Sequence, residues 1–96
     1  MNTTINAVCA NKKDSCVTVV KPILKGQTVR YYGTDNALKS VVAGQDIPVY
    51  HKVAILEIKK DDEVIKYGEQ IGVALADILP GNHVHVHNIR PLGRLH

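Results

Sequence analysis

The chain has 96 residues, so a single domain spanning residues 1–96 is the default expectation. Hydrophobic residues make up 45% of the sequence, but Phe and Trp are absent and four Tyr are the only aromatic residues, which predicts an aliphatic core. Twelve Lys and Arg against nine Asp and Glu give a net charge of +3. The basic residues are spread along the chain without forming a run, and this argues against nucleic-acid binding.

Two features of the sequence bear on its compartment. Residues 1–15 hold no apolar run typical of a signal peptide, and no later stretch approaches membrane-spanning length. Cys9 and Cys16 are separated by six residues, a spacing that matches neither a redox pair nor a zinc knuckle. We therefore expect a cytoplasmic protein with reduced thiols and no membrane partner.

Apolar residues recur mostly at every second position, in short runs rich in Val, Ile and Tyr, which indicates β-strands. In chain order, the expected strands cover residues 5–9, 16–20, 28–32, 40–42, 52–55, 63–67, 71–74 and 83–88. Turn residues separate them, among them Gly26, Gly33, Gly44 and Gly68. Because no long amphipathic helix is present, the sequence predicts an all-β domain.

A short pattern occurs three times, with Ile, then Gly or Asp, then Val at intervals of three residues. The copies are Ile23-Gly26-Val29, Ile58-Asp61-Val64 and Ile78-Gly81-Val84. The last two copies also match upstream, and both predict a strand, a single helical turn, a tight turn and a second strand. We interpret the pattern as a repeated corner in a compact, pseudo-symmetric β-fold.

Residues 83–88 read His-Val-His-Val-His-Asn. In a strand, the three His would share one face while Val84 and Val86 anchor the other. His83 and His87 would then be about 13 Å apart, so only neighbours such as His85 and His87 could share a metal ion. Metal ligation, proton transfer and hydrogen bonding to a substrate all remain open, and so does a polar strand face without a ligand.

Two further groups could bind an anion. His51 and Lys52 follow the rigid Pro48 and could clamp a carboxylate, although solvated side chains at a strand entrance would look the same. Lys66 and Tyr67 lie in an expected hairpin with Gly68 at its turn. Lys66 could hold an anion and Tyr67 could offer its hydroxyl group, but a surface Lys beside a half-buried Tyr explains the pattern equally well.

Between residues 46 and 90 the sequence reads D-I-P-x-x-H-K-V-A, then V-I-K-Y-G-E-x-I-G-x-A-x-x-D-I, then G-x-H-V-H-x-H-N. This series resembles the small SAF domain of altronate and galactarate dehydratases, found also as the small subunit of sulfolactate sulfo-lyase. The resemblance implies a compact β-clip fold beside a large catalytic subunit. It also implies a divalent metal, usually iron, that is held mainly by that partner and not tightly by this chain alone.

The resemblance implies that His51, Lys66, His83, His85, His87 and Asn88 lie toward the shared site. Together with the residue patterns described above, it suggests the following roles. The catalytic residues would be His85 and His87, which are also the metal ligands if this chain has any. The substrate-binding residues would be His51, Lys52, Lys66, Tyr67, His83 and Asn88. Two positions depart from the family pattern, since Tyr50 and Asp61 stand where Gly is common. The first departure bears on the shape of the His51 loop and on substrate preference.

Three classes of function follow from these expectations: a lyase subunit, a binding module and an assembly factor. The first is the small subunit of an altronate- or galactarate-like dehydratase, a carbon–oxygen lyase that is inactive without its large subunit and acts on a small hydroxy acid. The alternatives are the small subunit of a sulfolactate sulfo-lyase and a stand-alone module that binds carboxylated sugars. A third class, extracytoplasmic assembly factors with SAF-like domains, is disfavoured because the sequence lacks a signal peptide.

Overall fold

The computed structural model describes residues 4–92, and all regular structure in that range is β-strand. The strands are β1 (Ala7–Val8), β2 (Cys16–Val19), β3 (Thr28–Tyr32), β4 (Leu38–Val42), β5 (Lys52–Ala54), β6 (Glu63–Lys66), β7 (Glu69–Ala74), β8 (His83–Val84) and β9 (Ile89–Pro91). The all-β prediction is confirmed, and each expected strand overlaps an observed one. Residues 1–3 and 93–96 of the expected single domain lie outside the described range. Between residues 4 and 92, no helix is long and apolar enough to cross a membrane.

The strands form three small antiparallel sheets. The largest has the order β1-β2-β5-β8, a second pairs β3 with β4, and a third has the order β6-β7-β9. Strand β5 therefore lies between β2 and β8, which it joins although they are far apart in sequence. Because of this central position, both halves of the chain contribute to the surface around β5.

The repeated corner is confirmed by its backbone conformation. Gly26, Asp61 and Gly81 adopt φ values of 90°, 73° and 95°, the left-handed region expected at a tight turn. The Ile and Val of each copy are buried, with at most 3% of their surface exposed. A fourth copy, missed in the sequence, consists of Ile47, Tyr50 with a φ of 67°, and Val53.

The four corners divide the molecule into two similar halves that share β5. Ile23 and Ile47 exchange backbone hydrogen bonds in the first half, and Ile58 and Ile78 do the same in the second. Each half has its own core cluster. The first contains Val17, Val19, Ile23, Val29, Tyr31, Ile47 and Val53, and the second contains Cys16, Ala54, Ile58, Val64, Ala74, Ile78, Val84 and Ile89. The pseudo-symmetry expected from the repeat is therefore present in the hydrogen bonding and in the core.

The prediction of a single helical turn at each corner is wrong. The chain bends at residues 55–56 and 75–76 without helical structure. The N–H and C=O groups of Ile58 and Ile78 bond to each other across the corner, at 2.8 and 2.7 Å. Because these groups are already paired, they cannot form the local bonds of a helical turn.

Candidate functional site: a cluster of imidazoles

The expected strand over residues 83–88 ends after Val84. Residues 86–88 form a turn, in which the Asn88 side chain accepts a hydrogen bond from the His85 N–H at 3.0 Å and donates one to the His83 carbonyl at 2.6 Å. Val84 is buried as expected, but 63% of Val86 is exposed, so the prediction that Val86 anchors the segment is wrong. The reason is that the Asn88 side chain bonds to the backbone groups that a continuing strand would use.

The turn draws together imidazole rings that a straight strand would separate. The centroids of the His83 and His87 rings are 5.1 Å apart, and those of His83 and His85 are 5.6 Å apart with the rings within 8° of parallel. The spacing of about 13 Å expected between His83 and His87 assumed a straight strand. The bend brings the rings closer than a straight strand would, and the three rings lie together at one end of β8.

His51 completes the cluster from the neighbouring strand. In the pairing of β5 with β8, Lys52 is opposite Val84 and Val53 is opposite His83. Extending this register by one residue places His51 beside His85, and their rings stack with centroids 4.3 Å apart. His51 Nδ1 also lies 2.9 Å from His83 Nε2, a hydrogen bond between two rings. We call His51, His83, His85 and His87 the imidazole cluster.

His51, His83 and His85 each offer one ring nitrogen, and these three nitrogens lie within 4.8 Å of one another. The His83 backbone is fixed by a hydrogen bond from its N–H to Gln45 Oε1, at 2.9 Å. Burial of the His83 ring, and then the neighbouring imidazoles of His51, His87 and His85, lower its pKa to about 4. His83 is therefore neutral near pH 7, the form that binds metals and accepts protons.

Lys66, expected to bind an anion, is not available to solvent. Only 1% of its side chain is exposed, and its Nζ lies 3.4 Å from Asp14 Oδ2. The Asp14 carboxylate also accepts the backbone N–H groups of Asn11 and Gly68. Val64 and Lys66 are both buried, at 0% and 1% exposure. The interpretation of Lys66 as an anion-binding residue therefore does not agree with the structure.

Lys52 is directed away from the cluster, and the ring of Tyr67 contacts Lys66 in the hairpin. Because Lys52 pairs with Val84 and Val53 pairs with His83, alternation puts Lys52 and His83 on opposite faces of the sheet. The hairpin turn at Gly68 is confirmed, and Tyr67 is 65% exposed there, with its ring centroid 4.5 Å from Lys66 Nζ. The substrate-binding roles of Lys52 and Tyr67 stay predictions that this geometry does not favour.

Two residues that shape these sites carried no sequence signal. Asp14 and Gln45 are polar residues in loops, and only the fold shows that they hold Lys66 and His83. The fourth corner at Tyr50 could have been found, since Ile47, Tyr50 and Val53 repeat the spacing of the other three. The Gly common at this family position is explained by the φ of 67° at Tyr50.

The imidazole cluster lies on an open surface. Two clefts of about 460 and 610 Å³ occur elsewhere, and none of the imidazoles is among the residues that line them. His85 and His87 are exposed, and His51 and His83 are half-buried. A small molecule bound at the cluster would thus be covered on one side only, whereas ligand sites usually bury most of their ligand.

These features define an all-β domain with histidines gathered at the end of two paired strands, and comparison with known proteins gives its family. The sequence profile of the altronate/galactarate dehydratase SAF domain matches residues 5–92. The chain belongs to this family.

Relatives with known names are of two kinds. The chain is 38% identical over 80 residues to an altronate dehydratase of Bacillus subtilis, and the match covers 83% of this chain but 15% of the relative. It is 46% identical over 57 residues to a (2R)-sulfolactate sulfo-lyase subunit alpha of Paracoccus pantotrophus, covering 59% of this chain and 85% of the relative. A subunit alpha of Chromohalobacter salexigens is 37% identical over 75 residues, or 77% of this chain and 80% of the relative.

Proposed function

We propose that this domain is one part of a lyase that eliminates a group from a small 2-hydroxy acid, and that a large catalytic subunit completes its site. The observation that carries the proposal is the convergence of four imidazoles on an open surface, with His51 stacked on His85 and hydrogen-bonded to His83. The names of the relatives support this class, since altronate dehydratase and sulfolactate sulfo-lyase are both lyases.

The two reactions share one chemical pattern. A proton leaves the carbon beside the carboxylate, a group leaves the next carbon, and the resulting enol becomes a 2-keto acid. The leaving group is hydroxide in a dehydration and sulfite in the cleavage of sulfolactate. Both require a base for a weakly acidic proton and positive groups that stabilise the charge developing next to the carboxylate.

The imidazole cluster can supply part of this chemistry. In the proposal, exposed His85 and His87 exchange protons with the substrate, while His51 and His83 donate hydrogen bonds to it. Asn88 acts through the backbone, because both ends of its amide hold the turn that carries His85. The proposal does not include Lys66, whose ammonium group is buried against Asp14.

A large partner explains the openness of the site. Tyr50 and Val86, which adjoin the cluster in sequence, are 72% and 63% exposed, so apolar surface lies beside the imidazoles. Such surface next to polar functional groups is typical of a region that another protein covers. We propose that the same partner supplies most of the ligands of a divalent metal such as iron, which would stabilise the enolate oxygen.

The proposal is tested by co-purification and by two assays. The chain should form a complex with a large subunit of the altronate dehydratase type, and the complex alone should convert altronate or galactarate to a keto acid. His85→Ala should preserve the complex and lower kcat by at least about 100-fold, the usual contribution of a general base. The exposed Lys60→Ala serves as the matched control.

The two relatives differ in the leaving group, so a second assay separates them. Release of sulfite from (2R)-sulfolactate, without dehydration of the sugar acids, would assign the chain to the alternative, a sulfo-lyase subunit. Tight binding of a carboxylated sugar to the isolated chain, with no effect of any large subunit, would contradict both lyase proposals and indicate a stand-alone binding module.

A further inference from the structure

We propose that His51, His83 and His85 form a binding site for one divalent transition-metal ion on this chain itself. The sequence suggested neighbouring imidazoles such as His85 and His87 as ligands, if this chain has any, and no tight binding by the chain alone. The structure brings a different set of three nitrogens within 4.8 Å of one another. One residue of this set, His51, comes from a separate strand end.

The distances suit a metal ion of ordinary size. Four-coordinate zinc with nitrogen ligands at about 2.0–2.1 Å separates those ligands by about 3.3–3.4 Å. His51 Nδ1 and His83 Nε2 are 2.9 Å apart in a hydrogen bond, so binding one ion requires a change of tautomer and a small ring rotation that direct both lone pairs at the ion. The remaining separations, at most 4.8 Å, need to shorten by about 1.5 Å, which small rotations of the exposed His85 ring provide.

The backbone that carries the ligands is held in place without a metal. His83 lies in β8, which pairs with β5 next to His51. Its N–H bonds to Gln45, and the Asn88 amide joins the backbone of His83 to that of His85. A site of this kind loses little conformational entropy when an ion binds, because the ligand positions are already restricted.

The donor set indicates the type of metal and what its open position would bind. Three imidazoles and no carboxylate favour zinc, cobalt, nickel or ferrous iron over magnesium or calcium. Three protein ligands also leave a fourth position free, as in catalytic zinc sites. Because neutral imidazoles leave the charge of the ion uncompensated, this position would attract an anion such as a carboxylate.

His87 distinguishes this proposal from the ligand pair suggested by the sequence. Its ring centroid is 5.1 Å from that of His83, but it is not in the group of three whose nitrogens converge. His87→Ala should therefore alter metal affinity much less than His51→Ala, His83→Ala or His85→Ala. Because His85 and His87 are both exposed, neither of these two substitutions removes core packing.

The test is a titration of the isolated, chelator-treated chain with Zn²⁺ in a calorimeter and with Co²⁺ by visible absorption. We expect one ion per chain and affinity at least about 10-fold weaker in His85→Ala, since even outer-shell changes cost 10–100-fold. The Lys60→Ala control should bind like the parent. Imidazole nitrogen resonances of the unsubstituted chain provide a readout that needs no variant, and those of His51, His83 and His85 should shift together on addition of Zn²⁺.

Three outcomes would overturn the proposal. They are the absence of binding at millimolar metal, binding that His85→Ala leaves unchanged, and loss of binding in His87→Ala with retention in His51→Ala. Neither substrate nor large subunit is needed, so the result is independent of the class of lyase. If the ion binds, His85 is a ligand and His87 is the imidazole that exchanges protons with the substrate.

Discussion

Replacing Lys66 with Met should destabilise the domain by about 3 kcal/mol, the lower end of the cost of leaving a buried charge without its partner. Met preserves the unbranched chain but removes the ammonium group 3.4 Å from Asp14 Oδ2. The carboxylate would stay buried, although it would keep the backbone N–H groups of Asn11 and Gly68 as donors. Because these two hydrogen bonds still stabilise the carboxylate, we expect a loss of stability at the lower end of that range.

Asp14→Asn should cost more, about 4–5 kcal/mol, because the buried ammonium would lose its only carboxylate among the described residues. Urea unfolding followed by circular dichroism measures both effects. In a domain of this size, 3 kcal/mol corresponds to a loss of at least about 12 °C in Tm. The double variant should be more stable than the sum of the single effects predicts, by about 0.5–3 kcal/mol.

Lys60→Met provides the control, since Lys60 is exposed in the turn that precedes β6. If Lys66→Met and Lys60→Met unfold at the same urea concentration, then the ammonium group of Lys66 is not buried against Asp14. The anion-binding role suggested by the sequence would then stand, and the assignment of Lys66 to the interior would be refuted.

Three further predictions concern the corners and the thiols. Asp61→Gly should raise stability by about 0.5–1 kcal/mol in urea unfolding, because Asp61 has a φ of 73°, and an unchanged midpoint would contradict this. Gly81→Ala should reduce the yield of folded protein, since a Cβ there would collide with the Val42 carbonyl oxygen; a yield like that of the parent would be inconsistent with the corner. Iodoacetamide should label half-buried Cys9 in the native chain but Cys16 only after unfolding, because burial raises the pKa of Cys16 to about 11; equal labelling rates would argue against this.

The sequence predicted the strands well because their signal is local. Alternation over residues 28–32 identified β3 to the residue, and the Gly68 turn identified the β6–β7 hairpin. The prediction of a strand over residues 83–88 was wrong although the apolar residues there do alternate. The Asn88 side chain takes backbone hydrogen bonds that a strand would use, and this competition leaves no trace in the periodicity of the sequence.

The site was only partly predictable, since its key contact joins distant parts of the chain. The three C-terminal His could be grouped from their spacing, but the stacking of His51 on His85 depends on the pairing of β5 with β8. A register shift of one residue would have moved His51 to the other side, and no local pattern fixes that register. The prediction for Lys66 failed for a similar reason, since its buried partner Asp14 is 52 residues away, in an irregular segment.

The duplicated architecture explains why the imidazoles meet where they do. The corners at Tyr50 and Gly81 are equivalent in the two halves, and each leads directly into a strand of the same sheet, β5 and β8. His51 follows the first corner and His83 follows the second, so the antiparallel pairing of the two strands makes them neighbours. The other pair of corners, at Gly26 and Asp61, leads into β3 and β6, which lie in different sheets. Side chains after those corners cannot meet in the same way, and a cluster built from two corners can therefore form at only one of the two pairs.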